Sequence, residues 1–287
     1  MTRRALSAIT VCALIPALSG CGPMNYVVDS SGRPATRVEL EAAPAAGDEV
    51  TSEAMSDALV VLEERLDTDE REVTVAVAEG STIKLDVAGE VGEEDQPLLT
   101  EPGELALRPV LALGGGGASA TSPDVPGVEE GVVAEFDAFD CGTPEGGGDD
   151  GAADPDLTLV ACDKAGTSKY LLGAVEIDGS DVARSSASYR TEAATWVVTL
   201  EFDEGGSAGL SEITERLQDE ESPRNQLAVT VDGVVVSAPV IPPGTVISEG
   251  VAEISGSFTR ESAQALAGQL GTDPLPFPFE VRYISTG

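Results

Sequence analysis

A chain of 287 residues with 41% apolar content can bury one large core or two small ones. It contains no histidine, so the commonest general base and a major zinc ligand are both missing, which excludes Ser-His-Asp, Cys-His and most zinc-enzyme chemistry. The formal charge of −35 sets the surface against nucleic acid and anionic headgroups.

The N-terminus has the form of a leader. Arg3 and Arg4 precede an apolar run, Ala5 to Leu18, too short to span a bilayer comfortably, and the run closes in Leu18-Ser19-Gly20-Cys21. The LSGC tetrad resembles a bacterial lipobox, which implies cleavage after residue 20, acylation of Cys21 and a protein held by lipid on the outer face of the cytoplasmic membrane. No later segment is apolar for long enough to cross a bilayer. Loss of Arg3 and Arg4 with the leader leaves 14 basic residues against 51 acidic ones, a net −37. Of the four cysteines, Cys12 leaves with the leader and Cys21 carries the lipid. Cys141 and Cys162 remain, in an oxidising compartment and without CxxC spacing, and are expected to form a disulfide.

Segment 21–47 reads as a lipidated tether running into a first strand at Thr36 to Glu41. In 48–112, Met55, Leu59, Leu62 and Leu66 fall on one helical stripe. Val73, Val75 and Val77 alternate up to Gly80-Ser81, and Ile83, Leu85 and Val87 alternate beyond it, as in a hairpin. A short helix at Glu93 to Thr100 and a strand with Leu105 and Leu107 complete a β-α-β-β-α-β order, so this lobe is expected to be ferredoxin-like, a sheet with helices on one face.

Segment 113–165 opens with the linker GGGGASATSPDVP (114–126), followed by an acidic stretch expected to have little regular structure. Asp149, Asp150, Asp154 and Asp156 read as a solvated loop. A calcium site is the sharper alternative, but the spacing departs from an EF-hand.

The second lobe, 166–272, is expected to be α+β. TWVVTLEF alternates as a half-buried strand, and Leu210, Ile213 and Leu217 mark a helix from Ser207 to Gln218. NQLAVTVDGVVVSAPVI (225–241) forms a hairpin about Asp232-Gly233, with Pro239, Pro242 and Pro243 confining its end to a sheet edge. A strand follows near Val251 to Ser255. The next helix buries Ala263, Leu266, Ala267 and Leu270, with Thr259 as N-cap and Gly271 as C-cap. The closing segment, 273–287, is extended and free to pair back onto the first lobe.

The motifs YLLGAVEIDGSDV, TWVVTLEFDEGGSAGL, NQLAVTVDGVVVSAPVI, ISGSFTRESAQALAGQL and PLPFPFEV, in this order, resemble the first extracytoplasmic domain of SecD, the protein-export accessory subunit. MSDALVVLEERLDTDEREVTV, TIKLDVAG and ELALRPVL carry the likeness through the first lobe, and FDAFDC ahead of the cysteine pair is similar to actinobacterial members. The resemblance implies a base lobe at the membrane, a mobile head lobe and antiparallel sheets. It also implies a non-enzymatic role with no cofactor: binding of exported polypeptides or of a Sec translocon component. SecD proper is set between transmembrane helices that couple proton flow to export. This chain carries a lipobox in place of the entry helix and stops at Ser285-Thr286-Gly287, so motor function is not expected. The candidate polypeptide-binding positions are Val234, Val236, Ala238 and Val240, along a sheet edge where an extended chain could add a strand. A solute-binding or sensor lipoprotein on the same fold is the alternative. A carboxylate hydrolase is the weakest reading, because Glu129-Glu130 and Glu220-Glu221 lie in solvent-like contexts.

Overall fold

The computed structural model describes residues 35–45, 47–66, 71–78, 80–117, 125–142 and 154–286. The leader, Cys21, the tether to residue 34, Asp149 and Asp150 lie outside the described residues. Chain order is β1 (Ala35–Ala42), α1 (Ser52–Leu66), β2 (Val73–Val77), β3 (Thr82–Ala88), a 3-10 turn (Glu93–Asp95) leading into α2 (Gln96–Thr100), β4 (Leu105–Gly115), α3 (Glu130–Ala138), β5 (Leu159–Cys162), β6 (Ser168–Leu172) and β7 (Ile177–Asp178). There follow β8 (Val182–Arg190), β9 (Thr195–Phe202), α4 (Glu204–Leu217), β10 (Leu227–Val231), β11 (Val234–Ser237), β12 (Val251–Ser255), α5 (Arg260–Leu270) and β13 (Phe279–Thr286).

The base lobe is a four-stranded sheet, β13-β1-β3-β2, antiparallel at every neighbour. Its inner face, Val38, Leu40, Ile83, Leu85 and Val87, packs on Met55, Ala58, Leu62 and Leu66 of α1 and on Leu98 and Leu99 of α2. The α1 stripe buries because residues three and four apart share one side of a helix. On the outer face, Arg37–Asp86, Lys84–Glu39 and Arg282–Glu41 pair across strands. These exposed pairs contribute under about 1 kcal/mol each and favour the observed register.

The strand carrying Leu105 and Leu107 departs from expectation. Instead of closing the base sheet, β4 is the central strand of the second lobe, paired with β10, β7 and β6. The fourth base strand is β13. The physical reason is burial: β4 is covered on both faces from Leu107 to Val110, which only a central strand can satisfy, whereas FEVRYIST alternates charge and suits an edge.

In the head lobe, strands β11-β10-β4-β6-β5 curl until Asp163, just after β5, bridges to Val235 of β11. The nearly closed barrel encloses Val110, Leu159, Ala161, Leu172, Ala228 and Val235. Beside it, sheet β12-β9-β8 lays Val198, Leu200 and Phe202 against Leu210, Ile213 and Leu217 of α4 and Ala263, Ala267 and Leu270 of α5. Asp203 caps α4 by accepting from Gly206 N, and Thr259 caps α5 by accepting from Ser262 N. Gly271 ends α5 with φ −93° rather than in the left-handed region.

The acidic 113–165 stretch is more regular than its composition suggests. Gly114 and Gly115 extend β4, and α3 and β5 both fall within it. Helix α3 forms because Phe136 inserts fully into a small core with Ala112, Val160 and Leu171. Its C-terminal carbonyls find a cation: buried Lys169 of β6 donates to Asp137 O (3.0 Å) and Phe139 O (3.1 Å), with Nζ 4.9 Å from the Phe136 ring centroid. Burial pushes the Lys169 ammonium pKa down, opposed by the charges of Asp137 and Asp140. Cys141 and Cys162 are joined, tying the end of this arm to β5.

Candidate functional site

Three features of the head are candidates: the β10–β11 hairpin, a cavity beside it, and the buried charges between them and the base. The hairpin turns at Asp232 (φ 50°) and Gly233 (φ 76°), the left-handed pair that a two-residue turn requires. Beyond it, Val231 faces Val234 and Thr230 faces Val235, but Val229 faces Ser237, so Val236 is an inserted residue. This bulge breaks the alternation. Val234 and Val236 are half-buried, Val236 against the α4/α5 core, whereas Ala238 packs against the barrel core and Val240 is 51% exposed. The four positions therefore share a strand but not a face. The outer edge of β11 is covered at Val235 by Asp163. Toward Val240 the strand is still paired on its β10 side, where Val240 bridges Gln226, and among the described residues its outer side has no further ladder partner.

The cavity, about 360 Å³, is lined by Leu105, Ala106, Leu159, Val175 and Leu270, with Glu104, Asp178 and Asp273 among its polar residues. Arg108 also lines it, buried, its Nη1 donating to Leu157 O (2.8 Å) and Gly173 O (2.9 Å). Burial pushes the Arg108 pKa down and that of Glu104 up. Asp154 and Asp156 meet in a local turn, Asp156 N donating to Asp154 Oδ1. Among the described residues, no group of three or more His, Cys, Asp or Glu side chains could hold a metal.

Asp232 is the most perturbed acid. Its carboxylate accepts from Gly103 N (2.9 Å) and Glu104 N (2.9 Å), and burial raises its pKa from 3.8 to about 6 against those hydrogen bonds. The folded state therefore binds more protons than the unfolded chain between pH 4 and 6. This contribution to stability is fully present below pH 4 and is lost as pH rises through 6, to on the order of 2 kcal/mol after discounting for partial exposure. Asp232→Asn keeps a residue suited to the turn and removes the titration. The stability difference between native chain and variant, followed by urea unfolding, is expected to fall between pH 4 and 6.5; a flat difference would contradict the assignment. Neither Asp232 nor its partners carry a sequence signal, since a Asp-Gly turn reads only as a turn.

Among the described residues, no helix is long and apolar enough to cross a membrane. Residues 158–277 match the family model of the SecDF P1 head subdomain. Most of the second lobe is thus similar to the P1 head of SecDF. The protein translocase subunit SecD of Streptomyces coelicolor is 41% identical over 138 residues, 47% of this chain and 24% of that protein. The corresponding subunit of Synechocystis sp. is 34% identical over 124 residues, 41% and 26% of the two chains. The chain thus spans about a quarter of the length of these relatives. A solved structure of a SecDF membrane component described as enhancing protein export superposes with TM-score 0.52 at 23% identity, covering 87% of this chain and 99% of that one. SecDF in its super-membrane-facing form gives TM-score 0.54 at 22% identity, covering 88% and 30%. At such identities these two share a fold with this chain. The SecD likeness accounts for the β10–β11 hairpin as part of the P1 head.

Proposed function

We propose that this SecD-like domain is a non-enzymatic binder of extended polypeptide, acting outside the cytoplasmic membrane beside the export machinery and tethered there through Cys21. The observation that carries the reading is the edge of β11. Toward Val240 its outer side lacks a ladder partner among the described residues, and exposed Val240, Val246 and Val251 lie on β11's extension, the following loop and β12. An extended chain gains main-chain hydrogen bonds at such an edge and needs only apolar side chains to settle beside it. The net charge favours basic segments, and salt weakens that preference.

The test places a photo-crosslinker in turn at Val234, Val236, Ala238 and Val240 of the mature domain. Unfolded secretory polypeptides are expected to be captured in preference to their folded forms, and most strongly from Val240. Equal capture of folded and unfolded forms would overturn the reading. A second reading, capture of one small solute, rests on the cavity, whose volume is within the range of ligand pockets; tight saturable binding of a single solute would support it instead. For the tether, Cys21→Ser is expected to move the protein from the membrane pellet to the soluble fraction with its melting temperature unchanged. A variant still in the pellet would contradict lipidation.

A further inference from the structure

Besides β11, four strands stand at sheet edges among the described residues: β13 and β2 in the base, β12 and β8 in the head. Sheets guard such edges with charge, bulges or brevity. Strands β2 and β12 are five residues each, and β13 carries Glu280 and Arg282 with a bulge at Arg282. Strand β8 is guarded least. It runs nine residues, its register shift lies at Ala183, and from Ser185 to Ser188 it offers only serine and alanine. None of its residues is buried, and from Arg184 to Arg190 its backbone has no partner other than β9 among the described residues. Ser185, Ala187 and Tyr189 stand opposite Leu200, Val198 and Trp196 of β9, so they share the face that packs on α5. The far end of this row is aromatic. Tyr189, 49% exposed, lies 5.6 Å from half-buried Trp196 between ring centroids, and Arg260 at the start of α5 sets its guanidinium 5.9 Å from the indole centroid. Tryptophan, tyrosine and arginine are the residue types that dominate binding hot spots.

We propose that the outer edge of β8 is a second hold on the extended polypeptide that β11 takes, an added strand that sets a large apolar side chain against Tyr189. The inference rests on the polypeptide-binding reading above and adds a second grip to it. A row of unpaired N–H and C=O groups is matched by an extended main chain, which repeats the same groups at the same spacing. A strand laid on β8 finds serine and alanine beside its neighbouring positions, which leaves room, and the tyrosine ring beside one of them at a cross-strand spacing of about 5 Å. A second copy of this chain could offer a strand to the same edge, but its charge of −35 sets it against the first. Strand β11 approaches β12, across the sheet from β8, so a chain held at both edges passes over three strands, roughly 10 Å. Each grip alone is weak. The first raises the local concentration of the polypeptide at the second, which strengthens binding without demanding a particular sequence.

The test uses the mature chain with its disulfide intact and two probes: a labelled secretory protein kept unfolded by reduction and alkylation, and a peptide from it too short to reach both edges. A photo-crosslinker at Ser186 or at Ser188 is expected to capture the long probe, as one at Val240 does. Tyr189→Ser, a change at a half-exposed position, is expected to leave the melting temperature unchanged and to weaken binding of the long probe about fivefold in fluorescence anisotropy. Capture of the short peptide from Val240 is expected to be the same in this variant as in the native chain, which a general loosening of the head would not allow. Capture of the long probe from Val240 with none from Ser186 or Ser188 would overturn the second hold and leave the polypeptide reading standing. Capture from neither edge would overturn both. Crosslinks from Ser186 to a second copy of the chain, or native affinity for the long probe in Tyr189→Ser, would also overturn the proposal.

Discussion

Gly103→Ala is expected to destabilise the protein by about 2–4 kcal/mol. Gly103 has φ +81°, and a Cβ there would stand 2.6 Å from Gln269 Cγ and 2.7 Å from Arg65 Nη2. Neither neighbour can yield cheaply, because both side chains are buried and bonded at the junction between base and head. Asparagine separates the two causes. It tolerates positive φ but still carries a Cβ, so Gly103→Asn is expected to be nearly as damaging, whereas Gly244→Asn, at φ +80° with nothing near the new atom, is expected to be mild. Urea unfolding of the three variants checks this, and recovery of native stability in Gly103→Asn would show that space at the junction is not limiting.

Phe136→Ala is expected to cost about 3–4 kcal/mol at the arm that carries α3. The ring is 1% exposed, is the largest apolar side chain in its small core and forms the surface over which the Lys169 ammonium sits. Its loss removes the reason for α3 to dock and leaves a buried lysine with a poorer partner. The disulfide still ties Cys141 to β5, so the expected result is local release: hydrogen exchange across 125–142 accelerates strongly while β1, β3 and β9 keep their protection. Uniform acceleration through all strands would instead mean that the arm is integral to the head's cooperative unit.

What the sequence exposes and what it hides divide along the range of the interactions. Helix α1 is legible to the residue, since Met55, Leu62 and Leu66 repeat at helical spacing, and α5 is legible because Thr259 announces its start. The hairpins β2–β3 and β10–β11 follow from alternation about Gly80 and Asp232-Gly233. Local grounds put strand β4 in the wrong lobe, because LALRPVLAL says that a strand exists, not which sheet surrounds it. Helix α3 is hidden by an acidic, glycine-rich neighbourhood, and the lysine that caps it is 32 residues from Asp137 in sequence. The junction is hidden most completely. Arg65, Glu101, Asp232 and Thr272 are drawn from four elements or connections, and a buried arginine in an otherwise ordinary helical stripe has no pattern that distinguishes it from a solvated one. The candidate binding edge was half legible: alternation from Val234 to Val240 suggests one face, and only the bulge at Val236 shows that two faces are used.

The central claim is that the head lobe recognises polypeptide by its unfolded, extended state rather than by a particular sequence or solute. The most direct measurement is fluorescence anisotropy of one labelled secretory protein, titrated with the mature domain once in its native form and once reduced and alkylated so that it stays unfolded. The account predicts saturable binding of the unfolded form alone, of modest affinity, weakening as salt is raised and lost when Val240 is replaced by Asp. Indistinguishable titrations of the two forms would contradict it.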